Sequence, residues 1–399
     1  MPSREPTSDR IHSFEELISP IPAQHFLREI FGKRPVRIGG TPHRFQHLLT
    51  WGALNAILAE RPAGSLNIRV MKDGAEIPQE QYTQHVQSEF LGKYLQLSVG
   101  PLAELLQQGA TLVVNRFREL HGPTRILSEI LEQFFSSYVE VVVFAGWHGT
   151  RGLASHWDPE ETFILQLEGE KHWRIWYPTR RYPLVQDRRA DAGRPTDLCW
   201  EGNLSAGDLL HIPRGWWHDA TPVAAPSLHI TFAVRPPTGI ELARAVLMEV
   251  EVLRQNVPRH RTEAEEAEYA TLFRSAVSGA LEQVSLARFF KQLDSNVPTG
   301  ARLSLPWSAV PDYHLPESAR LQWQPRRGLP LDESEETLTL HALGSTYAFS
   351  KVAKQVLLDL MHTRSTTVKE LCERHPHAEV RRFVIKLACR GLLSIADEG

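Results

Sequence analysis

The stretch Ser155-His156-Trp157-Asp158, with the apolar run that follows at 163–176 and a later segment at 207–218, decides the fold of this chain. Side chains in a strand alternate between its two faces, so a histidine and a carboxylate two residues apart point the same way if the stretch is extended. An imidazole and a carboxylate so placed can bind one cation. The later segment is predicted to form strand, turn and strand, and it ends in a third candidate ligand, His218.

Two histidines and one carboxylate on one face of an octahedral ion leave the opposite positions open, as in non-haem Fe(II) oxygenases. The spacing of His156 and Asp158 is not specific by itself, because a histidine and an aspartate two residues apart also occur as a hydrogen-bonded loop pair. The surrounding sequence decides between these interpretations.

That surrounding sequence resembles the Jumonji-C class of cupin-fold, 2-oxoglutarate-dependent oxygenases, and most closely the ribosomal oxygenases. The similarity is carried by three motifs in order, at 152–176, 212–220 and 227–231. The resemblance implies a mainly β catalytic domain with a double-stranded β-helix. It also implies Fe(II) as the metal, 2-oxoglutarate as cosubstrate and O2 as oxidant.

The resemblance assigns roles to six residues. It implies that the metal is held, and the catalytic centre formed, by His156, Asp158 and His218. It implies that Lys171 pairs with the distal carboxylate of 2-oxoglutarate, that Thr231 helps to hold this cosubstrate, and that Thr162 points into the same cavity. A buried dicarboxylate does need a cation and hydroxyl donors to offset its desolvation.

Alternative interpretations of these residues stay open. Lys171 could be a solvated charge in a turn at 168–171, and threonines that alternate with apolar residues are ordinary strand composition. The chain also departs from the related pattern, because Val142 and Phe144 stand where an asparagine and a tyrosine are expected. Trp157 is predicted to be structural, whereas Trp216 and Trp217 are candidates for contact with a substrate.

Composition excludes several classes of protein. The chain has 399 residues, of which 42% are hydrophobic, and no run is long enough to span a bilayer, which predicts a soluble globular protein rather than a membrane protein. A formal net charge of −3 gives no global basic field, so nucleic-acid binding is not expected. The lack of an apolar signal core and the presence of only 3 cysteines predict a reducing, cytoplasmic location.

The order of sequence patterns predicts three domains. Residues 1–236 are expected to form the Jumonji-C catalytic domain behind a lead-in of short helices and a strand at 35–38. Tight turns are expected at 168–170, 205–208 and 213–215. Residues 237–300 show apolar positions at helical spacing and, by resemblance, form a dimerisation domain. Residues 301–399 are expected to be a linker and a winged-helix-like domain.

The function predicted from the sequence is hydroxylation of a polypeptide side chain, with a ribosomal protein as the favoured substrate and a homodimer as the favoured assembly. One alternative is an oxygenase that acts on a small molecule or a peptide natural product, which the apolar Val142 and Phe144 would suit. Another is a non-catalytic cupin that binds a ligand or a partner.

Overall fold

The structure is a computed structural model that describes residues 11–90, 92–147, 151–189, 193–257, 259, 262–297, 303–310, 313–325, 327, 331–334 and 336–396. The chain divides into two compact units, Met1–Pro236 and Pro237–Gly399. Residues 1–10 and the expected boundary between residues 300 and 301 lie outside the described residues. The separation into three domains therefore stays a prediction.

Short helices and one strand open the first unit: α1 (Phe14–Ile18), α2 (Ala23–Glu29), β1 (Val36–Ile38) and α3 (Trp51–Glu60). Two of these helices begin at a side-chain cap, since the hydroxyls of Ser13 and Thr50 accept hydrogen bonds from backbone N–H groups in the first turn. The predicted lead-in of short helices and a strand is confirmed.

The next elements in the chain are β2 (Asn67–Lys72), β3 (Ala75–Ile77), β4 (Thr83–Ser88), β5 (Gly92–Leu97), α4 (Val99–Gln107), β6 (Thr111–Asn115) and α5 (Gly122–Phe135). A turn at Asp73 and Gly74 joins β2 to β3. Both turn residues have positive φ, 50° and 84°, which is the conformation that Asp-Gly hairpin turns favour.

The next five strands are β7 (Tyr138–Gly146), β8 (Glu161–Trp176), β9 (Leu198–Ser205), β10 (Leu209–Ile212) and β11 (Trp217–Arg235). Within the described residues they belong to a nine-stranded sheet with the order β1-β10-β8-β11-β7-β6-β2-β3, in which β9 also pairs with β8. All of these pairings are antiparallel. The long strands β8 and β11 are neighbours at the centre of the sheet.

One predicted turn is wrong. The sequence predicts a tight turn at 168–170, but β8 continues through these residues. Gly169 has a φ of +68°, and an added Cβ there would lie 2.1 Å from the carbonyl oxygen of Pro226. The pairing of β8 with β11 is irregular here, because its register shifts between Pro222 and His229. Gly169 therefore accommodates this irregularity within a strand and does not reverse the chain. The predicted turns at 205–208 and 213–215 are confirmed.

Aromatic side chains pack the helices α1 and α2 against strand β8. Phe14 on α1, Phe26 on α2 and Phe163 on β8 are all buried, and their ring centroids lie 5.5 to 5.8 Å apart. Rings at these separations contribute about 0.5–1.5 kcal/mol per pair beyond the area that they bury. This contact fixes the start of β8, which directly follows the candidate metal ligands.

The second unit begins with helices α6 (Gly239–Leu247), α7 (Glu251–Arg254), α8 (Glu263–Glu282) and α9 (Leu286–Ser295). The helical pattern at 239–253 forms two helices rather than one, because Val250 adopts extended backbone angles between α6 and α7. Helices α6 and α8 each begin with a capping box, formed by Thr238 with Glu241 and by Thr262 with Glu265.

The remaining elements are β12 (Arg320–Trp323), β13 (Leu331–Glu333), β14 (Thr337–Ala342), β15 (Ser345–Ser350), α10 (Lys354–Thr363), β16 (Ser365–Thr367), α11 (Val368–Arg374), α12 (Val380–Cys389) and β17 (Leu393–Ala396). Two three-stranded sheets, β16-β12-β17 and β13-β14-β15, pack with these helices around a shared apolar core. The identification of this region as a winged helix stays a prediction. None of the helices in the described residues combines the length and the apolar character needed to cross a bilayer.

Candidate active site

The three predicted metal ligands converge. His156 and Asp158 lie just before β8, and His218 lies near the start of β11. The Asp158 Oδ2 atom is 3.9 Å from His156 Nε2 and 3.6 Å from His218 Nε2. Within the part of the chain that the structure describes, this is the one group of three such side chains whose ligand atoms all lie within 4.8 Å of one another.

The local structure around these ligands differs from the prediction that His156 and Asp158 lie on one face of a strand. His156 forms only an isolated bridge to His218, in which each backbone N–H donates to the other's carbonyl, at 3.1 and 2.7 Å. Asp158 lies in the following loop, where its carbonyl accepts from Gly215 N at 2.9 Å. Pro159 comes next and has no N–H to continue a ladder, so regular pairing resumes only at Glu161.

The orientation of both imidazoles suits a metal ion. The Nδ1 atom of His156 lies 2.8 Å from the carbonyl oxygen of Ala154, and that of His218 lies 3.0 Å from the carbonyl oxygen of Trp216. Donation from Nδ1–H to a carbonyl leaves the lone pair on Nε2, which is the nitrogen that faces Asp158 in both residues. Burial, with a smaller contribution from His156, holds the pKa of His218 below its ordinary value, so this ring is neutral and able to coordinate.

A buried carboxylate ties the two ligand segments together. The Asp219 carboxylate accepts a hydrogen bond from the Ser155 hydroxyl at 2.7 Å and two from Arg174 at 3.0 and 2.9 Å. Burial acts to raise the pKa of Asp219, but the hydrogen bonds from Arg174 and Ser155 outweigh it and hold the pKa below its ordinary value. Because Ser155 precedes His156 and Asp219 follows His218, this contact fixes the separation of the two histidines. Ser155, Arg174 and Asp219 were not among the site residues predicted from the sequence.

One pocket contains the metal ligands and the predicted cosubstrate residues. It encloses about 600 Å³, its open mouth included, and all six predicted site residues line it. Lys171 reaches it from β8 and Thr231 from β11, which pairs with β8. The structure thus brings together every residue assigned by the sequence, whereas their individual roles stay predictions.

Lys171 is a buried residue of the pocket lining. Its side chain is only 4% exposed, so it is not a solvated charge in a turn. In the described residues no carboxylate lies within ion-pair distance of its ammonium group, and burial is the only influence on its pKa. Burial lowers the pKa of Lys171 to about 7. A buried cation without an anion is costly, and a ligand carboxylate would remove that cost.

The two threonines differ. The Thr162 hydroxyl donates a hydrogen bond to the carbonyl oxygen of Ile212 at 3.1 Å, so it is already used within the protein. Thr231 stands opposite Val142 in the β7–β11 pairing and lines the pocket. Of the two, Thr231 is the better placed for a ligand.

Several tryptophans and one further histidine lie near these residues. Trp157, Trp176 and Trp217 form one buried cluster, which agrees with a structural role for Trp157 but shows that Trp217 is a packing residue too. Sequence reasoning missed His229, which lines the pocket beside Lys171. The available signal was its position two residues before Thr231, since that spacing puts both side chains on one face of β11.

Comparison with known proteins identifies the domain that contains this pocket. The JmjC domain family matches residues 113–242. These residues form a JmjC domain. The match confirms the resemblance seen in the sequence, and it covers the three candidate ligands together with β7 to β11.

Two curated relatives match about half of the chain. Ribosomal oxygenase 2 from Bos taurus is 32% identical over 241 residues, which are 55% of this chain and 47% of that protein. The bifunctional lysine-specific demethylase and histidyl-hydroxylase NO66 from Drosophila persimilis is 28% identical over 223 residues, which are 55% of this chain and 31% of that protein. The chain spans about half or less of the length of these relatives.

A solved structure resembles nearly the whole chain. The crystal structure of the Escherichia coli ribosomal oxygenase YcfD matches with a TM-score of 0.57 and 17% identity, over 94% of this chain and 98% of that one. The same protein in complex with cobalt and 2-oxoglutarate matches with a TM-score of 0.57 and 16% identity, over 95% of this chain and 99% of that one. These matches concern the fold, and they confirm the predicted cupin-like, β-rich architecture of the JmjC region.

Proposed function

We propose that this protein is an Fe(II)- and 2-oxoglutarate-dependent oxygenase. One observation carries the proposal: two imidazoles and a carboxylate converge in a pocket that is also lined by a buried lysine without a carboxylate partner in the described residues. A metal ion and a dicarboxylate satisfy both groups at once. The JmjC match and the names of the relatives support the same proposal.

Different residues of the pocket would bind the metal ion and the cosubstrate. His156, Asp158 and His218 would hold the iron through two Nε2 atoms and one carboxylate, which leaves the remaining coordination positions for ligands. Bound iron would supply the oxidation of a C–H bond by O2, coupled to conversion of 2-oxoglutarate into succinate and CO2. Lys171 would fix the distal carboxylate of 2-oxoglutarate, and the apolar walls would exclude water.

The test is succinate formation by the purified protein with Fe(II), 2-oxoglutarate, ascorbate and O2. The expected result is turnover that requires both the metal and the cosubstrate, and that is lost in His156→Ala. His172→Ala is a matched control, because His172 lies on β8 but bonds to Asn203 and Glu201 outside the pocket. Absence of both metal binding and turnover would contradict the proposal and favour the non-catalytic cupin.

For the substrate we propose a polypeptide side chain, with a ribosomal protein as first candidate. The names of the matched relatives, ribosomal oxygenase and histidyl-hydroxylase, support this choice. A ribosomal protein extract should stimulate succinate formation and acquire about 16 Da, the mass of one oxygen, on a single residue. Stimulation by small molecules but not by any polypeptide would favour the small-molecule alternative, which the apolar Phe144 in the pocket wall suits.

We further propose that the protein is a homodimer that associates through its helices. Among the described residues, α6, α8 and α9 contribute no buried side chain, although Leu272, Leu286 and Phe290 are apolar and exposed. Exposed apolar surfaces of this kind mark association sites. Light scattering should give twice the chain mass, and Leu272→Asp with Phe290→Asp should give the monomer. A monomeric wild type would refute this assembly. The cytoplasmic location and the lack of nucleic-acid binding stay predictions.

A further inference from the structure

The buried ammonium group of Lys171 has one polar side-chain contact in the described residues. Its Nζ lies 3.0 Å from Nδ1 of His229, which is a hydrogen-bond distance. His229 is itself buried, with 3% exposure, and both residues line the pocket that holds the candidate metal ligands. The contact crosses from β8 to β11, so two different strands define where the ammonium sits.

Neighbouring rings hold the His229 imidazole in place. The Phe144 ring stacks on it, with centroids 4.6 Å apart and planes 11° apart, and Trp173 meets it edge-on at 5.7 Å. Phe144 is the residue directly opposite His229 in the β7–β11 pairing. The imidazole is therefore clamped on two sides, and its Nδ1 atom has a fixed direction.

The chemistry of this contact determines which nitrogen carries the proton. When Lys171 is protonated, its ammonium group can only donate, so Nδ1 of His229 accepts with its lone pair and the ring proton sits on Nε2. Burial, followed by the charge of Lys171, holds the pKa of His229 well below its ordinary value, so the ring stays neutral beside the cation. A neutral acceptor offsets part of the desolvation of the ammonium without neutralising its charge. The positive charge thus stays available to an anion in the pocket.

We propose that His229 is a positioning residue that holds the Lys171 ammonium in the pocket so that it meets the distal carboxylate of the cosubstrate. This inference rests on the proposed function for the identity of the cosubstrate. The placement of Lys171 by His229 is a property of the protein alone. The imidazole contributes a fixed acceptor, and the ammonium keeps its remaining N–H groups for the ligand.

The experiment compares His229→Leu with His229→Asn in the full-length protein. Leucine removes the acceptor, whereas the amide oxygen of asparagine can replace Nδ1 as an acceptor. The first readout is the pH dependence of Lys171 acetylation in the ligand-free protein, measured by mass spectrometry, which reports the pKa of this amine. The second is the affinity for 2-oxoglutarate by calorimetry with Mn²⁺ in the metal site. Mn²⁺ affinity and melting temperature are recorded for each variant.

We expect His229→Leu to move the labelling profile of Lys171 to lower pH by about one unit and to weaken 2-oxoglutarate binding about tenfold, since a hydrogen bond to a charged group is lost. His229→Asn should recover most of both effects, and Mn²⁺ affinity should stay unchanged. An unchanged labelling profile in His229→Leu, or equal losses in both variants, would overturn the positioning role. If the wild type fails to bind 2-oxoglutarate while the profile still shifts, the proposed function fails and the placement of Lys171 by His229 stands.

Discussion

The two ends of the pocket are built in different ways. At the metal end, formed by His156, Asp158 and His218, two side chains reach solvent, with exposures of 35% and 27% for His156 and Asp158. At the lysine end, formed by Lys171, His229 and Phe144, the two polar side chains are buried. The metal end is held by hydrogen bonds between a loop and a strand, whereas the lysine end is held by strand pairing and ring stacking.

Because of this difference, the two ends differ in how far they can rearrange when a ligand binds. A metal ion can draw its ligands together, because coordination releases more free energy than a single hydrogen bond. A carboxylate has no comparable power to reorganise a packed interior, so the lysine end must be preformed. Perturbing one end should therefore leave the other largely intact.

The largest effect should come from a metal ligand. His218→Ala removes the most buried of the three, and we expect metal affinity to fall by more than the roughly 10–100-fold that loss of an outer hydrogen bond costs. Turnover should disappear with it. Titration of Mn²⁺ followed by electron paramagnetic resonance measures the affinity. His172→Ala, on the same sheet but outside the pocket, should bind the metal like the wild type, and retention of tight binding by His218→Ala would refute the ligand assignment.

Lys171→Met should break the lysine end while sparing the metal end. We expect 2-oxoglutarate to bind roughly 10–100-fold more weakly, because a charge-assisted contact is lost. Calorimetry measures this loss, and Mn²⁺ affinity should not change.

The same substitution should stabilise the ligand-free protein. The pKa of Lys171 is about 7 in the folded protein, against an ordinary value of 10.5 for lysine, so the unfolded chain binds more protons between these pH values and stability rises with pH across that window. The burial cost is complete below about pH 7 and absent above about pH 10.5. Lys171→Met should therefore raise the melting temperature most at pH 6 and little at pH 10. A variant that melts lower at pH 6 would contradict this account.

The cosubstrate affinity should itself depend on pH. Only the ammonium form of Lys171 attracts a carboxylate, so binding to the wild type should weaken by up to about tenfold per unit as the pH rises above 7. Lys171→Arg should flatten this profile, because a guanidinium stays charged throughout. Calorimetry at several pH values decides the matter, and equal slopes for the two proteins would place the titrating group elsewhere.

Ser155→Ala tests the contact that joins the two metal-ligand segments. Asp219 would keep both hydrogen bonds from Arg174 and lose only the one from Ser155. We expect Mn²⁺ affinity to fall about tenfold, at the lower limit for a residue that orients a ligand. The affinity for 2-oxoglutarate should hold, and a selective loss of cosubstrate binding instead would show that the two ends are coupled.

The same contrast explains how far the sequence could lead. The metal end could be predicted because its ligands are concentrated in two short segments, and the family resemblance supplied the third partner. At the lysine end, the sequence predicted a role in cosubstrate binding for Lys171 but none for His229. The role of His229 depends on which residues face each other across β7, β8 and β11. The prediction of a turn at 168–170 was wrong for a related reason. A glycine with positive φ occurs in chain reversals and in irregular strands, and the pairing with the partner strand determines which of the two forms.

The smallest effects should separate the two threonines. Thr162→Val removes the hydrogen bond from its hydroxyl to the carbonyl of Ile212, so we expect a loss of about 1 kcal/mol of unfolding free energy and unchanged cosubstrate affinity. Thr231→Val should show the reverse, a fall of a few-fold in 2-oxoglutarate affinity with little change in stability. Denaturant unfolding and calorimetry on both variants measure the two quantities. If Thr162→Val instead weakens binding at constant stability, then its hydroxyl leaves Ile212 to meet the cosubstrate, and the lysine end is less preformed than its packing indicates.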